Sequence, residues 1–376
     1  MIPYGKQIID DDDIAEVIEV LKSDWLTTGP KVSEFENNVA GYIGCKNAIA
    51  VSSGTAALHA VMHALKIKAG DEVILPPITF LATANCVAYM GGTPVFADIN
   101  PDTLLIDPAS VERKITPATK AVIAVDYAGQ TCDYNILRSI CSRHNLALVA
   151  DCCHALGAKD PHDRNAGSIA DISVLSFHPV KHITTGEGGM ILTDNNDLAQ
   201  NIRSFRNHGI NLDASARQEE CTWNYEMQDL GYNYRITDLQ CALGISQLRK
   251  LDIFLEKRRT LAAVYDSFFK AESEVSPLKL IAGATHAYHL YVIKIPAKKR
   301  KKIFEFMRNA GIGVNVHYIP VHCQPYYKKI FGTYIGMCPA AEEAYEQLLT
   351  LPLHPAMTEK DVKFIVSKLN EALSSN

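Results

Sequence analysis

The sequence predicts an α/β protein. A large domain over residues 1–248 carries a mostly parallel sheet, and a smaller α+β domain covers residues 249–376. Three observations predict this. Short apolar runs recur at Glu72–Leu75, Pro94–Ala97, Ala121–Val125, Leu146–Ala150 and Ile172–Phe177, with helical or loop segments between them. Such alternation implies βαβ units and strands covered on both faces. Past Gly231–Leu248, which reads as loop then helix, the alternation stops, and the long amphipathic helix Lys250–Phe269 bridges to a segment of different character. The totals agree: 376 residues, 47% hydrophobic and 21% charged, give a globular chain with room for two domains and a large core.

The other elements follow in order. Asp10–Leu21 sets Ile14, Val17, Ile18 and Leu21 on one stripe behind a run of acids. That is an amphipathic helix with its negative residues at the N-terminal end. Trp25–Pro30 breaks it, and Lys31–Ile43 is helical again. Ala48–Val51 is a short strand, and Ser52-Ser-Gly-Thr55 opens a helix through Leu58 and Leu65. In the last third, Tyr288–Ile295 reads as a strand and Lys298–Asn309 as a basic helix ended by Gly311. Val314–Tyr318 reads as a strand feeding Ile319-Pro320, and Asp361–Leu373 as a terminal helix. No internal repeat or low-complexity segment is present.

Composition excludes several classes. A net charge of −5 argues against a nucleic-acid-binding surface. No apolar run reaches membrane-spanning length, and the acidic stretch after Met1-Ile-Pro-Tyr4 is no signal peptide, so no membrane partner and a cytoplasmic location are expected. Ten cysteines are scattered without a Cys-x-x-Cys pair. Zinc-type spacing is absent, so they read as buried free thiols and no metal is expected.

The chemistry centres on Ser176-Phe-His-Pro-Val-Lys181, with Thr185-Gly-Glu-Gly-Gly189 after it. A strand here ends in a loop with a lone lysine at its mouth. A lysine among apolar neighbours loses its charge readily and becomes a nucleophile for carbonyls; the alternative is an ordinary loop lysine. Ser52-Ser-Gly-Thr-Ala-Ala-Leu58 joins a strand to a helix start, whose free N–H groups and dipole suit a phosphate, though a plain capped helix reads the same way. Leu146–Asp151 is an apolar strand with a carboxylate at its end, either a helix N-cap or an anion for a ligand. Ligands of parallel sheets bind at the carboxyl ends of the strands, which favours the second.

Together these stretches resemble the DegT/DnrJ/EryC1/StrS nucleotide-sugar aminotransferases, from about Tyr4 to about Pro355. The resemblance implies the pyridoxal 5'-phosphate (PLP) fold type I, with Lys181 carrying the cofactor and acting with Asp151 as the catalytic pair. By the same resemblance Gly54, Thr55, Ala56 and Ser176 hold the phosphate, and Asp151 faces the pyridine nitrogen. Phe80, otherwise a core residue, stacks on the ring. His154 of the Asp-x-x-His-Ala pattern lies near the cofactor or is a structural histidine. Asn233, in Gly231-Tyr-Asn-Tyr-Arg235, reaches the cofactor of a partner protomer, with Arg235 in support. A homodimer with shared active sites is thus implied, while Thr237 reads equally as the cap of the following helix.

Tyr4, the turn Asp24, Trp25, Leu26 and Thr27, and Asn315, Val316, His317 and Tyr318 match places that line the nucleotide-sugar cleft in this family. The resemblance is strongest to the branch that makes the precursor of pseudaminic acid. Shared features are Val125-Asp-Tyr-Ala-Gly129, His178-Pro-Val-Lys181, and His317-Tyr-x-Pro320 with Tyr326-Tyr327. That branch implies transfer of an amino group from glutamate, giving 2-oxoglutarate, to C4 of a UDP-linked 4-keto-6-deoxy sugar of the L-altrosamine type. Sister enzymes act on D-series, GDP- or dTDP-linked sugars, or at C3. One residue departs: His182 stands where those enzymes usually have proline. The related sugar 3-dehydrases read His-His-Ile-Thr there and lack the lysine, whereas this chain keeps Lys181. Intact Lys181, Asp151 and phosphate loop also argue against a non-catalytic regulator of this fold.

Overall fold

The computed structural model describes residues 1–211, 217, 221–269 and 274–374. Its main sheet has seven strands, β1 (Asn47–Val51), β2 (Glu72–Leu75), β3 (Thr93–Phe96), β4 (Thr119–Val125), β5 (Ala147–Asp151), β6 (Ile172–Ser176) and β7 (Gly189–Thr193). Their spatial order is β1-β7-β6-β5-β4-β2-β3. The run from β6 to β3 is parallel, and β7 is antiparallel to both neighbours, β6 and β1. β7 lies outside the strands expected from sequence: its Met190-Ile-Leu192 run is short and follows the glycine-rich turn directly.

Helices cover both faces, so nearly every residue of β4 to β7 is buried. Ile49, Val149, Ile172, Val174 and Ile191 are fully enclosed. Burying each such side chain stabilises by roughly 1.5–3 kcal/mol, which makes the sheet a rigid platform for its strand ends. The first helices are α1 (Asp11–Lys22), α2 (Pro30–Ile43), α3 (Gly54–Ala64), α4 (Ala82–Tyr89), α5 (Pro108–Lys114), α6 (Tyr134–His144) and α7 (Asn196–Phe205). Local chemistry sets their starts. Asp10 and Asp13 form a reciprocal capping box on α1. Pro30 opens α2, and Asp133 caps α6.

One cap is tertiary. Asp238 starts the helix Asp238–Arg249 and is fully buried. Its carboxylate accepts the N–H groups of Gly29 at 2.8 Å and Lys31 at 2.9 Å, so it caps α2 from another helix. Thr27 also bridges to Thr237. The turn at residues 24–28 is thereby tied to residues more than 200 positions away.

A second, three-stranded antiparallel sheet pairs Tyr291–Lys294 with Leu348–Leu351 on one side and Ser276–Pro277 on the other. Helices Leu251–Asp266, Ala297–Asn309 and Glu359–Ser374 enclose its own cluster of Leu261, Tyr265, Ile293, Ile303, Met307 and Leu369. Two expectations change here. The strand expected over Tyr288–Ile295 is confined to Tyr291–Lys294, because the N–H groups of Ala287 and Leu290 bond to Gly129 and Ala128 instead. Val314–Tyr318 is not a strand beyond a single bridge, Asn315 to Thr350. The Asn315 side chain accepts the Val316 N–H at 2.8 Å, which takes that group out of any ladder.

Candidate active site

The carboxyl ends of β5 and β6 open onto a cleft of about 570 Å³. The chain leaves β6 through a closed loop. Phe177 N–H bonds to Gly188 O at 2.9 Å, and Phe177 O accepts from the Thr185 N–H and from the Thr184 hydroxyl, both at 3.0 Å. Phe177 is fully buried against Phe35. This anchored loop presents Lys181 at the cleft. Among the described residues its Nζ makes no hydrogen bond or ion pair. Burial pushes the amine below the ordinary lysine value, while Cys153 and Asp151 oppose the shift. The loop-lysine alternative does not describe this side chain.

Asp151 ends β5 and is 6% exposed. Its Oδ2 accepts the Thr83 hydroxyl at 2.8 Å and its Oδ1 accepts the Cys153 N–H at 3.2 Å. Thr83 is itself held by Thr79 at 2.7 Å. No cation pairs with Asp151 among the described residues. A buried carboxylate without a cation is costly, so this one suits a ligand that brings positive charge.

The N-terminus of α3 forms another wall. The Ser53 hydroxyl takes the Ala56 N–H at 3.1 Å and the Ser53 carbonyl takes the Ala57 N–H. The N–H groups of Gly54 and Thr55 have no acceptor among the described residues. A side chain at Gly54 would place Cβ 3.0 Å from the Cβ of Ser176 and 3.3 Å from its Oγ. Glycine therefore lets the helix start close against Ser176 and form one anion cradle with it. Ala56 is buried and lies outside the lining.

Phe80 is 57% exposed at the rim, so it is not a core residue, and its ring lies 6.1 Å from that of Tyr318. Opposite, Tyr4 and Asn315–Tyr318 close the cleft. His317 is held by Thr350 at 2.9 Å and lies 3.2 Å from the Asn315 amide. Burial lowers the His317 imidazole to about 4. His154 is buried, with Nε2 3.2 Å from the Tyr318 hydroxyl.

The remaining expected site residues stand elsewhere in the single chain. Asp24, Trp25, Leu26 and Thr27 are exposed and outside this cleft, as is Asn233. Arg235 donates to Asn207 at 2.6 Å. His182 does not line the cleft; it is buried, with Nε2 3.2 Å from the Ala287 carbonyl oxygen. Sequence reasoning missed Thr83, Cys153, Glu187 and His289, all of which line the cleft. Thr83 and Cys153 follow β2 and β5, so the strand-end rule could have flagged them. His289 had no such signal. Away from the cleft, His322, Cys323 and Glu342 bring three donor atoms within 4.8 Å of one another. The Glu342 carboxylate is already engaged by His322 and by the N–H groups of Gly336 and Cys338.

The donor set fits one kind of cofactor: a phosphate for the helix start, a ring nitrogen for Asp151, and a carbonyl carbon for the unpaired amine. Fold and cleft define a PLP-dependent transferase of fold type I. Residues 7–370 match the DegT/DnrJ/EryC1/StrS aminotransferase family, and the chain belongs to it as a PLP-dependent sugar aminotransferase. The spore coat polysaccharide biosynthesis protein SpsC of Bacillus subtilis is 39% identical, over 98% of this chain and 96% of its own. PseC of Helicobacter pylori, an aminotransferase involved in the biosynthesis of pseudoaminic acid, superposes with a TM-score of 0.93 at 32% identity, over 100% of both chains. Spr1654 of Streptococcus pneumoniae, assigned as a sugar aminotransferase and solved in its PMP form, gives 0.94 at 31% identity, again over 100% of both chains.

Proposed function

We propose that this protein transfers an amino group from glutamate to C4 of a UDP-linked 4-keto-6-deoxy-N-acetylhexosamine of the L-altrosamine type, in pseudaminic acid biosynthesis. The observation that carries the reading is the unpaired amine of Lys181 opening on the same cleft as Asp151 and the α3 N-terminus. The likeness to PseC supports the sugar class.

When bound, the cofactor supplies an electron sink for the bond broken at the donor's Cα. The chain supplies everything else. Gly54, Thr55 and Ser176 would hold the phosphate, Asp151 would face the ring nitrogen and keep it protonated, and Phe80 would pack against the ring. Lys181 would hold the group, and its amine is the base and acid placed to move the donor's Cα proton. Its lowered affinity for a proton suits both roles. Tyr4 and Asn315–Tyr318 form the wall that receives the sugar.

Asn233 is proposed to reach the cofactor of a second protomer. Its exposure supports this, together with the neighbouring exposed Trp223, Met227, Leu230 and Tyr232. The turn at Asp24–Thr27 is proposed to join the sugar cleft. The boundary between the two domains is proposed to fall between residues 248 and 249. No helix among the described residues is long and apolar enough to cross a membrane, in keeping with the cytoplasmic location we propose.

A second reading is a sister aminotransferase acting on another 4-keto or 3-keto nucleotide sugar. It is favoured by the higher identity to SpsC, which is named for spore coat polysaccharide biosynthesis. A single-turnover assay separates the two. The amino form of the enzyme is mixed with UDP-4-keto-6-deoxy sugars of the L and D series, and the cofactor absorbance is followed. Conversion with the L-series ketone alone is expected. Preference for the D series, or reaction with neither, overturns the first reading.

A further inference from the structure

Three imidazoles form a row that runs from the cleft wall, which His154 and His289 line, back to His182 behind it. The His289 ring lies 4.3 Å from that of His154 and 5.7 Å from that of His182. All three are buried, at 4%, 5% and 3% exposure respectively. His154 meets the Tyr318 hydroxyl at one end, and His182 meets the Ala287 carbonyl at the other. Between them, Nδ1 of His289 and Nδ1 of His154 are buried and find no hydrogen-bond partner among the described residues.

The backbone beneath His289 is fixed. Ala287 N–H bonds to Gly129 O at 2.8 Å and Leu290 N–H to Ala128 O at 3.2 Å. The buried Arg258 donates to the carbonyls of Tyr288 and Leu353 at 3.1 and 2.8 Å. Gly129, at φ +111, packs so tightly there that a Cβ would meet Tyr288 N at 2.7 Å and His154 O at 3.0 Å. A side chain with a free nitrogen is thus clamped at its root and wedged between two other rings. Burial first, then the Lys181 charge and, ahead of it for His182, the Arg258 charge, push all three imidazoles well below their ordinary value, which favours the neutral ring with one donor and one acceptor nitrogen.

We propose that His289 is a positioning residue of this active site: its ring wedges His154 in the orientation that receives the Tyr318 hydroxyl at the sugar-facing wall. With Nδ1 of His154 unbonded, ring packing is what fixes that imidazole. Removing the wedge lets His154 turn, and the Tyr318 hydroxyl loses its one hydrogen-bond partner among the described residues. His182 closes the row from behind, its Nε2 3.2 Å from the Ala287 carbonyl oxygen. The catalytic consequence rests on the aminotransferase reading above; the ring orientation does not.

The test compares His289→Ala, which removes the ring, with His289→Phe, which keeps the wedge and discards both nitrogens. Selective ¹⁵N-histidine spectra of the cofactor-free protein report the His154 tautomer, with His154→Gln giving its assignment. One tautomer is expected in the wild type and His289→Phe, and averaging in His289→Ala. In the holoenzyme, kcat/KM for the sugar half-reaction should fall about a hundredfold in His289→Ala, the size that misplacement of a reacting partner produces, and recover to within a few-fold in His289→Phe. An unchanged His154 pattern in His289→Ala overturns the proposal. So does a His289→Phe variant without a single His154 tautomer, which settles the matter even if His289→Ala does not fold. A wild type without turnover on any sugar would count against the aminotransferase reading and leave the spectral test standing.

Discussion

Replacing Asp126 with asparagine should stabilise the protein increasingly as the pH rises. Asp126 follows β4 and is fully buried. Its Oδ1 accepts the Cys132 N–H at 2.8 Å and the Tyr134 hydroxyl at 2.9 Å, while Oδ2 has, among the described residues, only the weak Cys152 thiol donor at 3.2 Å. Burial outweighs these bonds and pushes the carboxyl from 3.8 up to about 7, with the nearby Asp151 charge adding to the rise. The unfolded chain releases this proton near 3.8, and the folded chain keeps it to about 7. Between those values the folded state binds more protons, so stability falls as pH rises. A gap of about three pH units corresponds to about 4 kcal/mol. Asparagine retains the Oδ1 acceptor and does not titrate. Urea unfolding of the cofactor-free variant and wild type at one protein concentration measures the difference. The advantage of Asp126→Asn should grow by about 4 kcal/mol at most from about pH 4 to about pH 7, then level off. Parallel stability curves across that window would mean that Asp126 stays ionised in the fold and would refute the reasoning.

Three further outcomes are expected. Lys181→Ala should lose turnover and the borohydride-reducible cofactor adduct together; retained turnover with free PLP would remove Lys181 from the reaction. Gly54→Ala should weaken PLP binding about tenfold to a hundredfold, because overpacking against Ser176 costs about 1–3 kcal/mol at the cradle. Its cofactor-free melting temperature should stay near that of the wild type, since alanine offsets part of that cost inside a helix; unchanged PLP affinity would count against the cradle. Gly129→Ala should lower the urea midpoint by at least about 2 kcal/mol equivalent, since its φ is +111 and the Cβ meets backbone atoms that cannot swing aside. A midpoint equal to that of the wild type would show that the 128–129 turn can shift.

The sequence by itself determined the layered sheet and the ends of its strands. Runs such as Ala121–Val125 and Leu146–Ala150 are apolar at every position, which suits only strands covered on both faces. Because those strands are parallel, their carboxyl ends share one edge, and Asp151 and Lys181 could be placed there before any coordinates. Caps such as Asp10 are equally local. Tertiary structure alone decided the rest. β7 pairs antiparallel with β6 and β1, a choice the three-residue apolar run Met190–Leu192 does not encode. Thr83 reaches Asp151 across 68 residues, and Tyr318 reaches His154 across 164. His289 carried no motif of its own, and its place in the row depends on how the 287–290 backbone seats on the 128–129 turn. Sequence periodicity reports which face of an element is buried. Which distant side chains meet at that face is set by chain closure over long separations, and most of this active site is made of such meetings.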